Sequence, residues 1–298
     1  MKIKKITAGI LTYNRKDTVA KAIDSVYSQK EIDSYEIEII VVDAASTDGT
    51  AEFIRQKYPD IKLVCLPRNL GCPGGRNHIY ANSTGDIIIN IDDDGYLEDN
   101  AVRLIVDVFE KEDNVGVVAF TQRFVDEPLE QERVPSDSIQ DVGLFRGGVS
   151  AFGADALKKT GLYPEDFFLY AEETYLSFKF LDAGYRIVAQ PDIIMWHPRI
   201  GSSTSKKWAY LRFRNNMLVI TRLFPGFLMW KYLARRVLSD FRWGVVQGTF
   251  LQYVKAVSYV LISLPYTLSK RNVCKRQAVK KFFELEVPVF ERKVDTKN

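Results

Sequence analysis

Ile87-Ile88-Ile89-Asn90-Ile91-Asp92-Asp93-Asp94 decides how this chain is read. Four isoleucines around a single Asn lead into three consecutive carboxylates. The apolar part has the composition of a buried strand, so the carboxylates stand at its carboxyl end. Like charges repel there, and desolvating them costs several kcal/mol unless positive charge lies close. A hard divalent cation, Mg²⁺ or Mn²⁺, is the natural partner, because both prefer carboxylate oxygen and also hold substrate phosphates. A charge run is ordinarily a solvated turn. The β-branched residues in front of this one weaken that reading.

Working outward, the first hundred residues alternate strand and helix. Strands are expected at Lys5–Leu11, Ile37–Val42, Lys62–Leu66 and Asp86–Ile91. Helices are expected from Asp17 or Thr18 through Val26, over Thr50–Tyr58 and over Gly74–Asn82. Such βα units imply a mostly parallel sheet flanked by helices, and ligands of these sheets bind at the strands' carboxyl ends. Those ends carry Thr12-Tyr13-Asn14-Arg15, Asp43-Ala44-Ala45-Ser46 and Asp92-Asp93-Asp94, three polar clusters on one rim. Further on, a helix is expected at Asn100–Lys111 and strands at Val115–Thr121 and Leu144–Phe152. A helix at Glu172–Ala183 and a strand at Arg186–Ala189 follow. Polar Asp126–Asp141, with two prolines, reads as a long loop.

The net charge of +3 hides an asymmetry. Residues 1–198 carry 21 Lys and Arg against 33 Asp and Glu, whereas residues 199–298 carry 20 against 5. The basic final third attracts anions such as phospholipid headgroups, nucleic acid or a phosphorylated substrate. Phe227, Trp230, Val237 and Phe241 fall at helical spacing with Lys231, Arg235 and Arg242 on another face, which suits either packing on the first domain or a membrane surface. Residues 243–269 hold one charge, Lys255, and the polar Gln247 and Gln252 argue against a spanning helix. The division expected is a catalytic domain at 1–205 and a basic, amphipathic helical region at 206–298. Cys65, Cys72 and Cys274 form no C-x-x-C pair, so neither a disulfide framework nor a zinc site is signalled. The apolar segment after Met1-Lys2-Ile3-Lys4-Lys5 is too short for an export signal. A cytoplasmic protein, peripheral on the inner face of the plasma membrane, is the expectation.

Four further segments carry chemistry. Asp43-Ala44-Ala45-Ser46-Thr47-Asp48-Gly49-Thr50 holds a carboxylate able to accept a base N–H, while Asp48-Gly49 reads as a turn. Asn69-Leu70-Gly71-Cys72-Pro73-Gly74-Gly75-Arg76-Asn77 is a glycine-rich turn into a helix, a place suited to anions. Phe167-Phe168-Leu169-Tyr170-Ala171-Glu172-Glu173 ends in adjacent carboxylates, one of which can raise the pKa of the other and suit it to general-base work. His197, in Met195-Trp196-His197-Pro198, follows the last strand.

These segments, in this order over about 200 residues, together with Ile10-Leu11-Thr12-Tyr13-Asn14-Arg15 and a D-x-D match at Asp92–Asp94, resemble the family 2 glycosyltransferases, especially the rhamnosyltransferase-like enzymes of bacterial cell-surface polysaccharides. The resemblance implies a GT-A-type, Rossmann-like fold with a C-terminal helical appendage. It also implies inverting transfer from a nucleoside-diphosphate sugar, UDP or dTDP favoured, to a saccharide or lipid-linked acceptor hydroxyl. Implied donor contacts are Thr12, Asn14, Arg15, Asp43, Ser46, Arg76, Asp92 and Asp93. Implied Mg²⁺ or Mn²⁺ ligands are Asp94, Asp92 and His197, and Glu173 beside Glu172 is the implied base. Arg212, Arg214 and Asn215 resemble a family segment that faces the diphosphate. Two departures stand out: Glu173 replaces the usual Asp, and Tyr175 replaces a later Asp of that motif.

Three rival readings remain. A sugar-nucleotide nucleotidyltransferase would need a basic, glycine-rich loop after the first strand, which Thr12–Arg15 lacks. A non-catalytic carbohydrate- or membrane-binding protein would tolerate loss of Glu173. Nucleic-acid binding has no supporting motif, and no nucleic-acid partner is expected.

Overall fold

The computed structural model describes residues 2–125, 139–198 and 206–285. The expected βα alternation is present: β1 (Lys5–Thr12), α1 (Val19–Tyr27), β2 (Glu36–Asp43), α2 (Thr50–Lys57), β3 (Lys62–Cys65), α3 (Gly71–Asn82) and β4 (Ile87–Asp92). Next come β5 (Tyr96–Leu97), α4 (Ala101–Lys111), β6 (Val115–Phe124), β7 (Gln140–Asp141), β8 (Val149–Gly153) and α5 (Ala154–Thr160). A 3₁₀ turn (Glu165–Phe167), α6 (Glu172–Asp182) and β9 (Arg186–His197) complete the sheet domain. Four helices then close the chain: α7 (Lys206–Leu223), α8 (Gly226–Val246), α9 (Phe250–Ser269) and α10 (Arg276–Glu284).

The sheet runs β3-β2-β1-β4-β8-β6-β9-β5, with β7 also on β9. The pairs β1–β2, β1–β4, β2–β3 and β6–β9 are parallel, while β8 runs antiparallel to both β4 and β6. Alternation along each strand divides the core in two. On β2, Ile40 and Val42 face the layer that holds Ile79, Phe152 and Phe180. Ile39 and Val41 face the layer of Ile10, Ile23 and Phe109. Period-2 geometry requires this split when both faces are covered.

Four expectations are corrected. Helix α3 begins at Gly71 rather than Gly74, since Pro73 sits in the first turn, where a missing N–H costs nothing. Strand β8 begins at Val149, because Gly147-Gly148 forms a turn before it. Strand β9 runs twelve residues, to His197. Thr18 precedes α1 but makes no side-chain capping bond. Of the expected loop at Asp126–Asp141, residues 126–138 lie outside the described residues.

The glycines of α3 serve packing. A Cβ on Gly75 would come within 2.3 Å of Leu11, and one on Gly9 within 2.3 Å of Ile79. The helix can therefore lie directly on β1, bringing Arg76 beneath the end of β4.

Candidate active site

The carboxyl ends of β1, β2 and β4 assemble the rim that the sequence predicts. Asp43 is buried, and its Oδ2 accepts from Ser46 N at 3.1 Å. Its other oxygen, Oδ1, is buried with no partner among the described residues. A buried acceptor is rarely left unpaired without a reason, and this one suits a ligand N–H. Asn14 and Ser46 zip the two loops together. Asn14 N donates to Ser46 Oγ at 2.8 Å, and Thr47 N donates to Asn14 Oδ1 at 2.8 Å. Asn14 holds φ +54°, a region Asn tolerates. Asp48 accepts from Thr50 N and Lys16 N, closing the start of α2 as its Asp-Gly setting predicts.

The three carboxylates after β4 face three different partners. Asp92 accepts from Arg76 at 2.9 Å. Asp93 accepts from Tyr13 N at 3.2 Å and lies 3.6 Å from Arg15. Asp94 lies 3.4 Å from Arg15 and 2.7 Å from His197 Nε2. Burial, with Asp94 and Asp92 beside it, pushes Asp93 up to about 7 against the opposing effects of Thr12 and Arg15. At Asp94 burial works the other way from the result: the bond from His197 and the charges of His197 and Arg15 outweigh it and hold the carboxyl below its ordinary range. His197 is raised, burial opposing and Asp94 and the Pro198 carbonyl prevailing.

The residues placed to hold a divalent cation are Asp94 and His197, one carboxylate and one imidazole, whose remaining positions would be filled by phosphate and water oxygens. Asp92 gives one oxygen, Oδ1, to Arg76. Among the described residues no three His, Cys, Asp or Glu side chains converge to hold a metal by themselves.

Glu172 and Glu173 open α6 across the rim from Asp92. Three non-glycine residues before them, Phe168, Tyr170 and Ala171, have φ between +61° and +71°. Such backbone costs energy and persists only where surroundings enforce it. Asn215 enforces it from α7: its Nδ2 lies 2.9, 2.8 and 2.9 Å from the carbonyls of Phe167, Leu169 and Tyr170, and the residue is fully buried. Arg214 adds a bond to the Asp166 carbonyl at 2.5 Å, and Arg222 grips the Asp166 carboxylate at 2.6 and 2.9 Å. Arg212 stacks on Trp243, 4.1 Å from the ring centre. The segment expected to face a diphosphate thus anchors the loop that carries the glutamates.

Both glutamates are raised. Burial and then Glu173 raise Glu172, which has an oxygen without a partner among the described residues. Burial raises Glu173 while Arg76 opposes it, and its Oε1 accepts from Gly147 N at 3.2 Å. The turn Gly147-Gly148 seals this cluster. A Cβ on Gly148 would fall 1.9 Å from the Asp92 carboxylate, and one on Gly147 1.9 Å from the Arg76 guanidinium. Only the double glycine in the sequence hinted at this close approach. Cys72, also at this spot, is pushed up to about 12 by burial and is inert as a nucleophile. His78 is an ordinary helix residue of α3. An open cleft of about 630 Å³ beside Tyr96 and Trp196 contains none of these groups.

A family model described as Glycosyl transferase family 2 matches residues 7–164, more than half of the chain. The chain belongs to glycosyl transferase family 2. The match covers the rim from β1 to β8 and ends before Glu172. Over 117 residues the chain is 34% identical to an uncharacterised glycosyltransferase of Nostoc sp. strain PCC 7120, covering 38% of this chain and 35% of that one. Over 200 residues it is 25% identical to poly-beta-1,6-N-acetyl-D-glucosamine synthase of Staphylococcus epidermidis, covering 62% and 47%. It spans about a third to a half of the length of these curated relatives. TarS 1-349 of S. aureus, solved with UDP-GlcNAc, matches with a TM-score of 0.63 at 17% identity over 89% of this chain and 82% of that one. That likeness shows the GT-A-type fold.

Proposed function

We propose that this member of family 2 is an inverting glycosyltransferase. It takes a sugar from a nucleoside-diphosphate sugar, UDP or dTDP favoured, and places it on a hydroxyl of a saccharide or lipid-linked acceptor in cell-surface polysaccharide or glycolipid synthesis. The observation that carries the proposal is the convergence on one rim of an unpaired buried carboxylate oxygen, the Asp94–His197 pair and the Glu172–Glu173 pair. The S. epidermidis relative is named for a polysaccharide synthase and TarS was solved with UDP-GlcNAc, which supports a nucleotide-sugar donor.

Each group has a task. Asp43 Oδ1 accepts the N–H of a pyrimidine base. Asp94 and His197 would hold Mg²⁺ or Mn²⁺, which when bound offsets charge developing on the leaving diphosphate. Arg15, 43% exposed at its side chain, neutralises the same rim. Glu172 stays protonated, so the glutamate pair carries one charge, and Arg76 with Gly147 N–H localises it on Glu173. Glu173, the less buried of the two, takes the proton of the acceptor hydroxyl. The hydroxyl oxygen bonds to the anomeric carbon as the bond to the diphosphate breaks, and a single displacement inverts that carbon.

The test is thermal stabilisation by UDP-, dTDP- and GDP-sugars with Mn²⁺, for wild type and Asp94→Ala. A shift with one nucleotide class that the variant loses supports the proposal. No shift with any donor contradicts it.

A further inference from the structure

Helices α8 and α9 leave an apolar face uncovered. Thirteen of the nineteen exposed large apolar side chains among the described residues lie in these two helices. On α8 five of the six, Phe227, Trp230, Leu238, Phe241 and Val245, fall on one helix face. Phe227 is 79% exposed and Ile262, on α9, 82%. Single exposed apolar residues mean little, but a continuous patch marks an interaction surface.

The charges around the patch have one sign. Residues 224–283 contain eleven Lys or Arg and one acidic residue, Asp240. Asp240 is 2% exposed and paired with Arg236 at 2.7 Å, so it contributes nothing to the surface. Lys231 and Arg242 are exposed one position beyond Trp230 and Phe241, and Arg235 is exposed between them. No helix of the described residues is long and apolar enough to cross a membrane.

We propose that the α8–α9 face seats the protein on the surface of an anionic lipid bilayer, with the apolar stripe in the acyl boundary and the cations at the headgroups. Charge excludes a second copy of this chain as the occupant, because isologous pairing would set one all-cationic rim against another. The seat is linked to the rim. Phe168, in the strained loop before Glu172, stacks on Trp208 of α7 with ring centres 6.2 Å apart, and Arg212 one turn later stacks on Trp243 of α8. The α8–α9 turn therefore lies at the end of α7 that touches the glutamate loop, which favours an acceptor presented from the membrane.

Flotation tests this independently of the glycosyltransferase reading, since it needs no donor. The full chain is mixed with vesicles of phosphatidylcholine alone, or of phosphatidylcholine with phosphatidylglycerol, at low salt. The protein is expected to float with the anionic vesicles and to remain below with the neutral ones. The triple variant Lys231→Glu, Arg235→Glu, Arg242→Glu is expected to lose partitioning by at least about a hundredfold. Phe227→Ser with Trp230→Ser lowers it while leaving the thermal midpoint unchanged, because all five side chains are exposed. Failure to float with anionic vesicles overturns the proposal. So does equal flotation of the charge-reversed protein, or a wild-type dimer in solution that the Phe227 and Trp230 substitutions break.

Discussion

Asn215 is the sharpest place to perturb the site without touching it. Its amide nitrogen serves the carbonyls of Phe167, Leu169 and Tyr170, and Arg214 Nε donates to its Oδ1 at 2.9 Å, which fixes the amide's orientation. Asn215→Asp keeps the volume and removes the donor. Each buried polar group left unsatisfied costs ~1–3 kcal/mol. Carbonyls tolerate the loss better than N–H groups, so the loop loses about 3 kcal/mol. The left-handed backbone at Phe168, Tyr170 and Ala171 stores roughly 1–3 kcal/mol per residue, which those bonds hold in check. Without them the loop relaxes and Glu173 moves. A displacement of about 1 Å costs about a hundredfold in rate. Turnover should therefore fall about a hundredfold with donor affinity unchanged, the acid limb of the pH profile, where a base is lost by protonation, should shift, and amide exchange at residues 167–172 should accelerate. Wild-type exchange in that segment together with wild-type turnover would show that Asn215 does not hold the loop.

Four other outcomes follow from the same geometry. Gly148→Ala drives a methyl into the Asp92 carboxylate; overpacking of about 1–3 kcal/mol should lower the thermal midpoint by a few degrees and abolish donor-induced stabilisation. Asp43→Ala removes the carboxylate proposed to accept from the base and should weaken UDP binding by about 10- to 100-fold in calorimetry. Glu172 has a folded-state pKa above its unfolded value, so its protonated form stabilises the fold at low pH and that stability is lost as pH rises through the raised value. Urea denaturation at acid and alkaline pH should therefore show Glu172→Gln gaining on wild type on the alkaline side. Glu173→Gln is expected to keep donor binding and lose turnover.

Much of the sheet was legible because its strands are buried on both faces and read as apolar runs. Strand β9 was not, since Gln190-Pro191-Asp192 looks like a terminator. The structure absorbs Pro191 where the β6–β9 register shifts between Ala119 and Thr121, with Thr121 Oγ1 donating to the Pro191 carbonyl at 2.9 Å. Bulges are where a strand tolerates proline. The rim carboxylates were legible because strand ends converge by topology. The Arg76–Asp92 bond, the Gly147-Gly148 seal and the role of Asn215 were not, because each depends on residues 16 to 71 positions apart meeting in space. The apolar stripe of α8 was readable as a periodicity. That it faces outward depends on α7 and α9 covering the opposite side, which no local pattern states.

The base role proposed for Glu173 places it in turnover rather than in holding the donor. The measurement that tests it most directly pairs calorimetric donor affinity with nucleotide release for wild type and Glu173→Gln in the presence of metal and acceptor. Equal affinity and a loss of release of at least about a hundredfold are expected in the variant. Equal release by both proteins would contradict it.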